Sequence, residues 1–198
     1  PHFSFDTVIL HTKNGTRIDT WYGRADTAAK GTVIMFHGVL ANKGEMLPEA
    51  YMFHNMGYNI LMVDFRGHGN SGGNTTTIGM TEYEEVKLAY DYISSKNEQT
   101  VFLYGISMGA TAVIKAMATF DLKPAGAILE MPFLSMQDHL QARARLLGFH
   151  GFPEKPFGFI VTGWMSLEQG VNAYNFRATK FTGKVTCPVL MQWGAKDE

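Results

Sequence analysis

The sequence has 198 residues, 45% of them hydrophobic and 18% charged, and a formal net charge of -1. That is enough apolar material for one globular core, and the near-neutral balance with no Lys/Arg cluster excludes a nucleic-acid partner as the leading expectation. The one cysteine, Cys187, cannot form an internal disulfide, and no apolar run is long enough to span a bilayer.

In chain order, Phe3 to Leu10 and Thr16 to Tyr22 flank Asn14-Gly15, a strong hairpin signal, and predict an antiparallel pair at a sheet edge. Thr32 to His37 (TVIMFH) is a continuous apolar run, the pattern of a strand covered on both faces. It leads into His37-Gly38-Val39-Leu40-Ala41-Asn42. A helix is expected from about Lys43 to Met56, with Gly57 as its stop. The next buried strand is Asn59 to Phe65 (NILMVDF).

Residues Arg66 to Gly73 carry G-x-G-x-x-G, which in a dinucleotide site requires a helix to open at the glycines. Asn74 to Thr77 intervene instead, so the stretch reads as a Gly-rich loop, with Asp64 and Arg66 as a pair to hold it, and no nicotinamide or flavin site is expected. Thr81 to Ser95 is amphipathic, with Tyr83, Val86, Tyr90 and Ile93 at helical spacing and a capping-box pattern in Thr81 and Glu84. The acidic cluster of Glu82, Glu84 and Glu85 suits the positive end of that helix better than a metal ion.

Val101 to Ala110 (VFLYGISMGA) then reads as a strand, a tight turn and the start of a helix, centred on G-x-S-x-G with Ser107 in the middle. The same pattern occurs at Gly69-Asn70-Ser71-Gly72-Gly73, but no helix opens there. Context therefore selects Ser107 as the nucleophile and Ser71 as a loop residue. Glycines at 105 and 109 would permit a close approach that larger residues would block, and the helix start offers free N–H groups to a developing oxyanion. Gly38 would let the chain turn so that the Val39 N–H faces the site, with His37 bracing that loop rather than acting as a base.

Ala125 to Met131 (AGAILEM) is a further strand, closed by Pro132. Residues 133–184 are rich in aromatics and broken by Gly148, Gly151, Pro153, Pro156 and Gly158, with helix-like pieces at Met136 to Leu147 and Gly163 to Gly170. So long an insertion predicts a cap or lid. Val185 to Trp193 is the last strand, followed by Gly194-Ala195-Lys196-Asp197-Glu198. The expected organisation is a core over 1–132, a cap over 133–184, and the last strand and acid loop over 185–198. Asp197 stands where the acid of a Ser…Asp…His order belongs, with Glu198 and Glu130 in reserve.

The set His37-Gly38, Asp64-Phe65-Arg66-Gly67-His68-Gly69, Gly105-Ile106-Ser107-Met108-Gly109 and Pro188 to Asp197 resembles the α/β-hydrolase superfamily. It is most similar to the bacterial esterase and serine-aminopeptidase-like branch, which includes feruloyl esterases and monoglyceride lipases. The resemblance implies an α/β fold with a mostly parallel, doubly wound sheet and a small helical cap insertion. It also implies Ser107 as nucleophile, Asp197 as acid and the N–H groups of Val39 and Met108 as oxyanion hole. Some hydrolases of this kind carry the acid at the position of Glu130. The implied reaction is cleavage of a small-molecule carboxylic ester through an acyl-enzyme, with no cofactor and no metal. An amide or peptide substrate, or a non-catalytic binding protein on the same scaffold, are the alternatives.

The resemblance departs at the base. The family places it after the acid, whereas all seven histidines (His2, His11, His37, His54, His68, His139 and His150) precede Asp197. The expectation is a fragment whose intact form supplies the histidine, one more strand and a closing helix, with a base reaching in from His139 or His150 as the alternative. Starting at Pro1, the chain is compatible with a removed leader or anchor, and a cytoplasmic setting is the simpler expectation. The sequence carries no indication of oligomeric state.

Overall fold

The computed structural model describes residues 4–96, 100–133, 135–137, 139–141 and 154–194. Seven strands form one sheet: β1 (Asp6–His11), β2 (Arg17–Gly23), β3 (Thr32–Phe36), β4 (Asn59–Val63), β5 (Val101–Ile106), β6 (Gly126–Glu130) and β7 (Val189–Gln192). Their spatial order is β1-β2-β4-β3-β5-β6-β7. The β1–β2 and β2–β4 pairs are antiparallel and the other four are parallel, so the sheet is mostly parallel, as expected. At the hairpin, Gly15 takes φ 79, and the Thr12 N–H donates to Thr16 O at 3.0 Å.

The apolar runs are buried on both faces because helices cover both. On one face Ile34, Phe36, Leu61, Val63 and Leu103 pack on α2 (Tyr83–Ser94) and α3 (Met108–Phe120). On the other, Val33, Met35, Ile60, Met62 and Tyr104 pack on Ala50 and Phe53 of α1 (Leu47–Asn55). A strand so enclosed has no polar face, which is why alternation is missing from these sequences. The first helix is shorter than its pattern suggested: Lys43–Met46 is a 3-10 turn, capped by Asn42 Oδ1 accepting from the Gly44 N–H at 2.9 Å. Gly57, at φ 89, ends that helix as anticipated.

Several local expectations are corrected. Asp64 and Arg66 do not pair: Asp64 takes Lys43, and Arg66 turns to Glu85 and Glu84. The capping box at Thr81 and Glu84 does not form. Glu82 precedes α2 and folds its buried carboxylate back onto its own loop, accepting from the Thr77 N–H at 2.8 Å, the Thr77 hydroxyl at 2.7 Å, the Thr76 hydroxyl at 2.8 Å and the Gly79 N–H at 2.8 Å. The Thr81 N–H adds a fifth at 3.2 Å, and five donors on one carboxylate do for the loop what an N-cap does for a helix.

Past β6, α4 (Glu154–Gln169) runs through Pro156 and Gly158, where breaks were expected, and takes in most of the helix-like piece expected from Gly163. Pro156 lies in its first turn, where a missing N–H leaves no hydrogen bond unmade. A 3-10 turn (Ala173–Asn175) and α5 (Thr179–Thr182) follow. Met136, Ala173 and Phe176 form a small separate cluster with Met80. The last strand is shorter than expected, and all four residues of β7 are exposed.

Burial opposes ionisation of Glu82, but the hydrogen bonds from Thr77 and Thr76 outweigh it and hold its carboxyl below the ordinary value. A depressed folded-state pKa contributes stability that is present above the unfolded value and lost as pH falls through the folded one. Glu82→Gln is therefore expected to cost about 1–3 kcal/mol at pH 7, through donors left facing an amide. Denaturant unfolding should show the gap to wild type narrowing only below about pH 4.5.

Candidate active site

β5 ends at Ile106 and α3 begins at Met108, so Ser107 alone makes the turn. Its backbone sits at φ 50, ψ -109, outside the regions an L-residue occupies without strain. Two bonds hold it there: the Ser107 N–H donates to Glu130 O on β6 at 2.7 Å, and its carbonyl accepts from the Thr111 N–H at 3.0 Å. The flanking glycines matter as expected. A Cβ on Gly105 would lie 2.6 Å from Ala110 N, and one on Gly109 would lie 2.8 Å from His37 O.

That second contact places the start of α3 against the end of β3, and the loop after β3 therefore arrives at Ser107. A Cβ on Gly38 would be 3.6 Å from the Ser107 Cβ. Among the described residues, neither the Val39 nor the Met108 N–H is taken by an acceptor in the chain. Met108 is the first residue of α3, where backbone N–H groups have no partner within the helix.

His37 is buried, and both ring nitrogens are engaged. Nε2 lies 3.1 Å from the Phe65 N–H and must accept, so Nδ1 carries the proton and donates to Gly38 O at 2.7 Å. Burial, the larger effect against the help of the Gly38 carbonyl, lowers its pKa to about 4. His68 repeats the arrangement, accepting from the Leu40 N–H at 3.4 Å and donating to Arg66 O at 3.0 Å, with the two rings 5.0 Å apart. Neither can serve as a base without releasing the loop. His54 is also buried, with Nε2 3.0 Å from Arg24 O, and His139 lies 4.7 Å from the Phe133 ring.

Ser71 is a structural residue. Its hydroxyl donates to Asp64 O at 2.7 Å and accepts from the Asp19 N–H at 2.8 Å. Glu130 gives its backbone carbonyl to Ser107, while its carboxylate accepts from the Tyr104 hydroxyl at 2.8 Å. Asp197 and Glu198 lie outside the described residues, as do His2 and His150. Cys187 is half-buried with its thiol pKa raised by burial, which suits a packing residue rather than a nucleophile. Sequence reasoning missed Lys43, whose ammonium reaches both Asp64 and Asp19. A pair separated by about twenty residues leaves no local pattern to find. Among the described residues, no cluster of His, Cys, Asp and Glu could hold a metal, and no helix is long and apolar enough to cross a membrane.

A family model described as serine aminopeptidase, S33, matches residues 27–156. The chain belongs to this family of α/β-hydrolases. An uncharacterized Bacillus subtilis protein, YqkD, is 29% identical over 170 residues, covering 84% of this chain and 55% of its own. The lysophosphatidylserine lipase ABHD12 of Xenopus tropicalis is 25% identical over 181 residues, covering 86% and 44%. The chain thus spans about half the length of these curated relatives. Among solved structures, the esterase Pf2001 of Pyrococcus furiosus superposes with a TM-score of 0.75 at 24% identity, covering 96% of this chain and 70% of that one. Est1E of Butyrivibrio proteoclasticus, solved with ferulic acid, gives 0.70 at 18% identity over 93% and 77%. For this S33-family chain, these superpositions match the α/β-hydrolase sheet expected from its sequence.

Two predictions follow from the polar groups around the elbow. Ser71→Ala should leave the Asp19 N–H and the Asp64 carbonyl short of a partner and lower stability by about 1–3 kcal/mol, seen as an earlier denaturant midpoint. The unfolded chain binds a proton at His37 near pH 6.5 and the folded one only near 4, so acidification across that window favours unfolding. The loss should approach about 3 kcal/mol from this group alone and stop growing below its folded pKa. A His37→Gln variant with the same acid limb as wild type would contradict it.

Proposed function

We propose that this chain carries the nucleophile and oxyanion hole of a serine hydrolase that cleaves carboxylic esters through an acyl-enzyme. The observation that carries the reading is the backbone of Ser107, held at φ 50 and ψ -109 between a strand end and a helix start. Strain of that kind is maintained only where surrounding structure over-determines it, and it supports a nucleophile served by the Val39 and Met108 N–H groups, which meet no acceptor among the described residues. Ser107 Oγ attacks the carbonyl carbon, and the oxyanion is received by the N–H groups of Val39 and Met108. A histidine takes the serine proton and returns it to the leaving alcohol, and water then releases the acid. That histidine must be other than His37 and His68, whose ring nitrogens are committed to the loops. Asp197 is proposed as the acid that orients it.

The ester is preferred over an amide because the relatives and structural neighbours include proteins named as a lipase and as esterases. Residues 133–184 are proposed as a cap whose aromatic side chains select the acyl or alcohol group. The partner is a small molecule, and the chemistry calls for neither cofactor nor metal.

A fluorophosphonate probe should label wild-type protein at Ser107 and leave Ser107→Ala unlabelled, while hydrolysis of a small aryl ester falls on the order of 10⁶-fold. Ser71→Ala should retain turnover per labelled site. Labelling that survives Ser107→Ala would move the nucleophile elsewhere. A large preference for the amide over the ester of one acyl group would replace the esterase reading with a peptidase one.

A further inference from the structure

Lys43 closes the loop that begins at His37, and its side chain is only 2% exposed. Nζ lies 2.5 Å from Asp64 Oδ2 and 2.8 Å from Asp19 Oδ1, and 4.7 Å from the centre of the Trp21 ring. The contact with Asp64 is a hydrogen bond, and the one with Asp19 is an ion pair without hydrogen-bond alignment. The Lys43 N–H donates to the other Asp64 oxygen at 2.7 Å, so one carboxylate grips this residue at backbone and side chain together. Asp64 is itself aimed by the Asn70 N–H at 2.8 Å, and Asp19 is balanced by Arg17 Nη2 at 2.6 Å. Two cations thus face two carboxylates, and the set is neutral.

An apolar set of similar shape commonly stabilises a core at least as well as a buried ion pair. What charges add is direction. Upstream, the loop is pinned by His37 to the Phe65 N–H. In the middle, the Leu40 N–H donates to His68 over 3.4 Å, with Leu40 at a left-handed φ of 61. Downstream, the anchor is Lys43. All three attachments land on residues 64–68, so the segment after β4 acts as a template for the loop after β3.

We propose that Lys43 is a positioning residue for the oxyanion hole: its two-point attachment to Asp64, backed by Asp19, fixes the far end of the 37–43 loop and thereby sets the Val39 N–H against Ser107. The inference rests on the serine-hydrolase reading of Ser107. With Lys43 released, Leu40 is free to leave its strained conformation, and Val39 moves with it. An oxyanion donor acts only within about 2.7–3.1 Å of the oxygen, so a displacement of about 1 Å removes most of its effect.

The test uses the whole protein and starts with the fluorophosphonate probe on wild type. No label on Ser107 overturns the hydrolase reading, and this inference with it. With label established, Lys43→Met, Asp19→Asn and their double variant are compared with Ile93→Ala, a truncation at a fully buried site in α2. Turnover of a small aryl ester per probe-titrated site should fall roughly 10–100-fold in Lys43→Met, with KM within about twofold of wild type. Affinity for an arylboronic acid, which forms a tetrahedral anionic adduct on serine, should weaken in parallel. The double variant removes one charge of each sign, keeps the set formally neutral, and should recover part of the thermal stability without recovering turnover. Ile93→Ala should lose stability with turnover per site unchanged. Wild-type turnover per site in Lys43→Met, or recovery of turnover together with stability in the double variant, overturns the proposal. If Lys43→Met yields no folded protein, Asp19→Asn decides: a loss of about 3–10-fold in turnover at constant KM supports it, and unchanged turnover overturns it.

Discussion

The site depends on one close approach, that of the first turn of α3 to the end of β3. Gly109 makes it possible, because any side chain there would run into the backbone of Phe36 and His37. Once α3 is that close, the chain between β5 and α3 has a single residue in which to reverse, and Ser107 is driven to φ 50. Holding a non-glycine residue there costs on the order of 1–3 kcal/mol, which the packing of α3 against the sheet must offset. The same approach brings Gly38 to the back of Ser107. The strained serine and the adjacent loop are thus two consequences of one packing contact.

Loops are ordinarily the mobile parts of a fold, yet oxyanion stabilisation requires a donor that does not reorganise. Here the loop after β3 is held by the loop after β4 through His37, His68 and Lys43. Each histidine uses one nitrogen as donor and the other as acceptor, an arrangement only the neutral ring can make. The depressed pKa of His37 is the thermodynamic expression of that requirement. Two adjacent buried histidines invite a catalytic reading, and their hydrogen bonds argue instead for a scaffold that contributes no reacting group. Ser71 belongs to the same scaffold, which is why its G-x-S-x-G carries no elbow.

Much of this was legible in the sequence. Strands covered on both faces betray themselves as unbroken apolar runs, and the strand, one-residue turn and helix around Ser107 form a local pattern legible from what precedes and follows it. The hairpin at Gly15 and the stop at Gly57 are legible for the same reason, since backbone demands of that kind admit few residues. Pairings across the chain were not. Asp64 and Arg66 are two apart and oppositely charged, yet on a strand end side chains two apart need not meet, and each found a partner on another element. The capping-box pattern failed because Glu82 had a better use: it satisfied five donors of its own loop at once. Pro156 and Gly158 failed as breakers because proline is harmless in a first turn and tertiary packing overrides glycine's weak helix propensity.

The segment after β6 stands apart in how it attaches. Most of its described apolar residues gather in a small cluster on Met80, while Phe181 also packs against the core on the α2 and α3 face. A cation helps join it to the core: Lys115 of α3 lies 4.1 Å from the ring centre of Tyr83 on α2, 5.6 Å from Phe176 and 5.9 Å from Phe181. Burial lowers the pKa of that amine, and its hydrogen bond to the Met80 carbonyl ties it to the loop below. A charge held by aromatic faces tolerates changes in ring position better than interlocked aliphatic packing does, because the attraction varies gradually over several ångströms. If the segment selects the substrate, that mode of attachment has a consequence. Its aromatic lining can change without disturbing the hydrogen bonds that hold Ser107, since those bonds join β5, β6, α3 and the two loops and include no residue beyond Glu130. Chemistry and selectivity then reside in physically separable parts of the chain, and the first can be shared among relatives whose substrates differ.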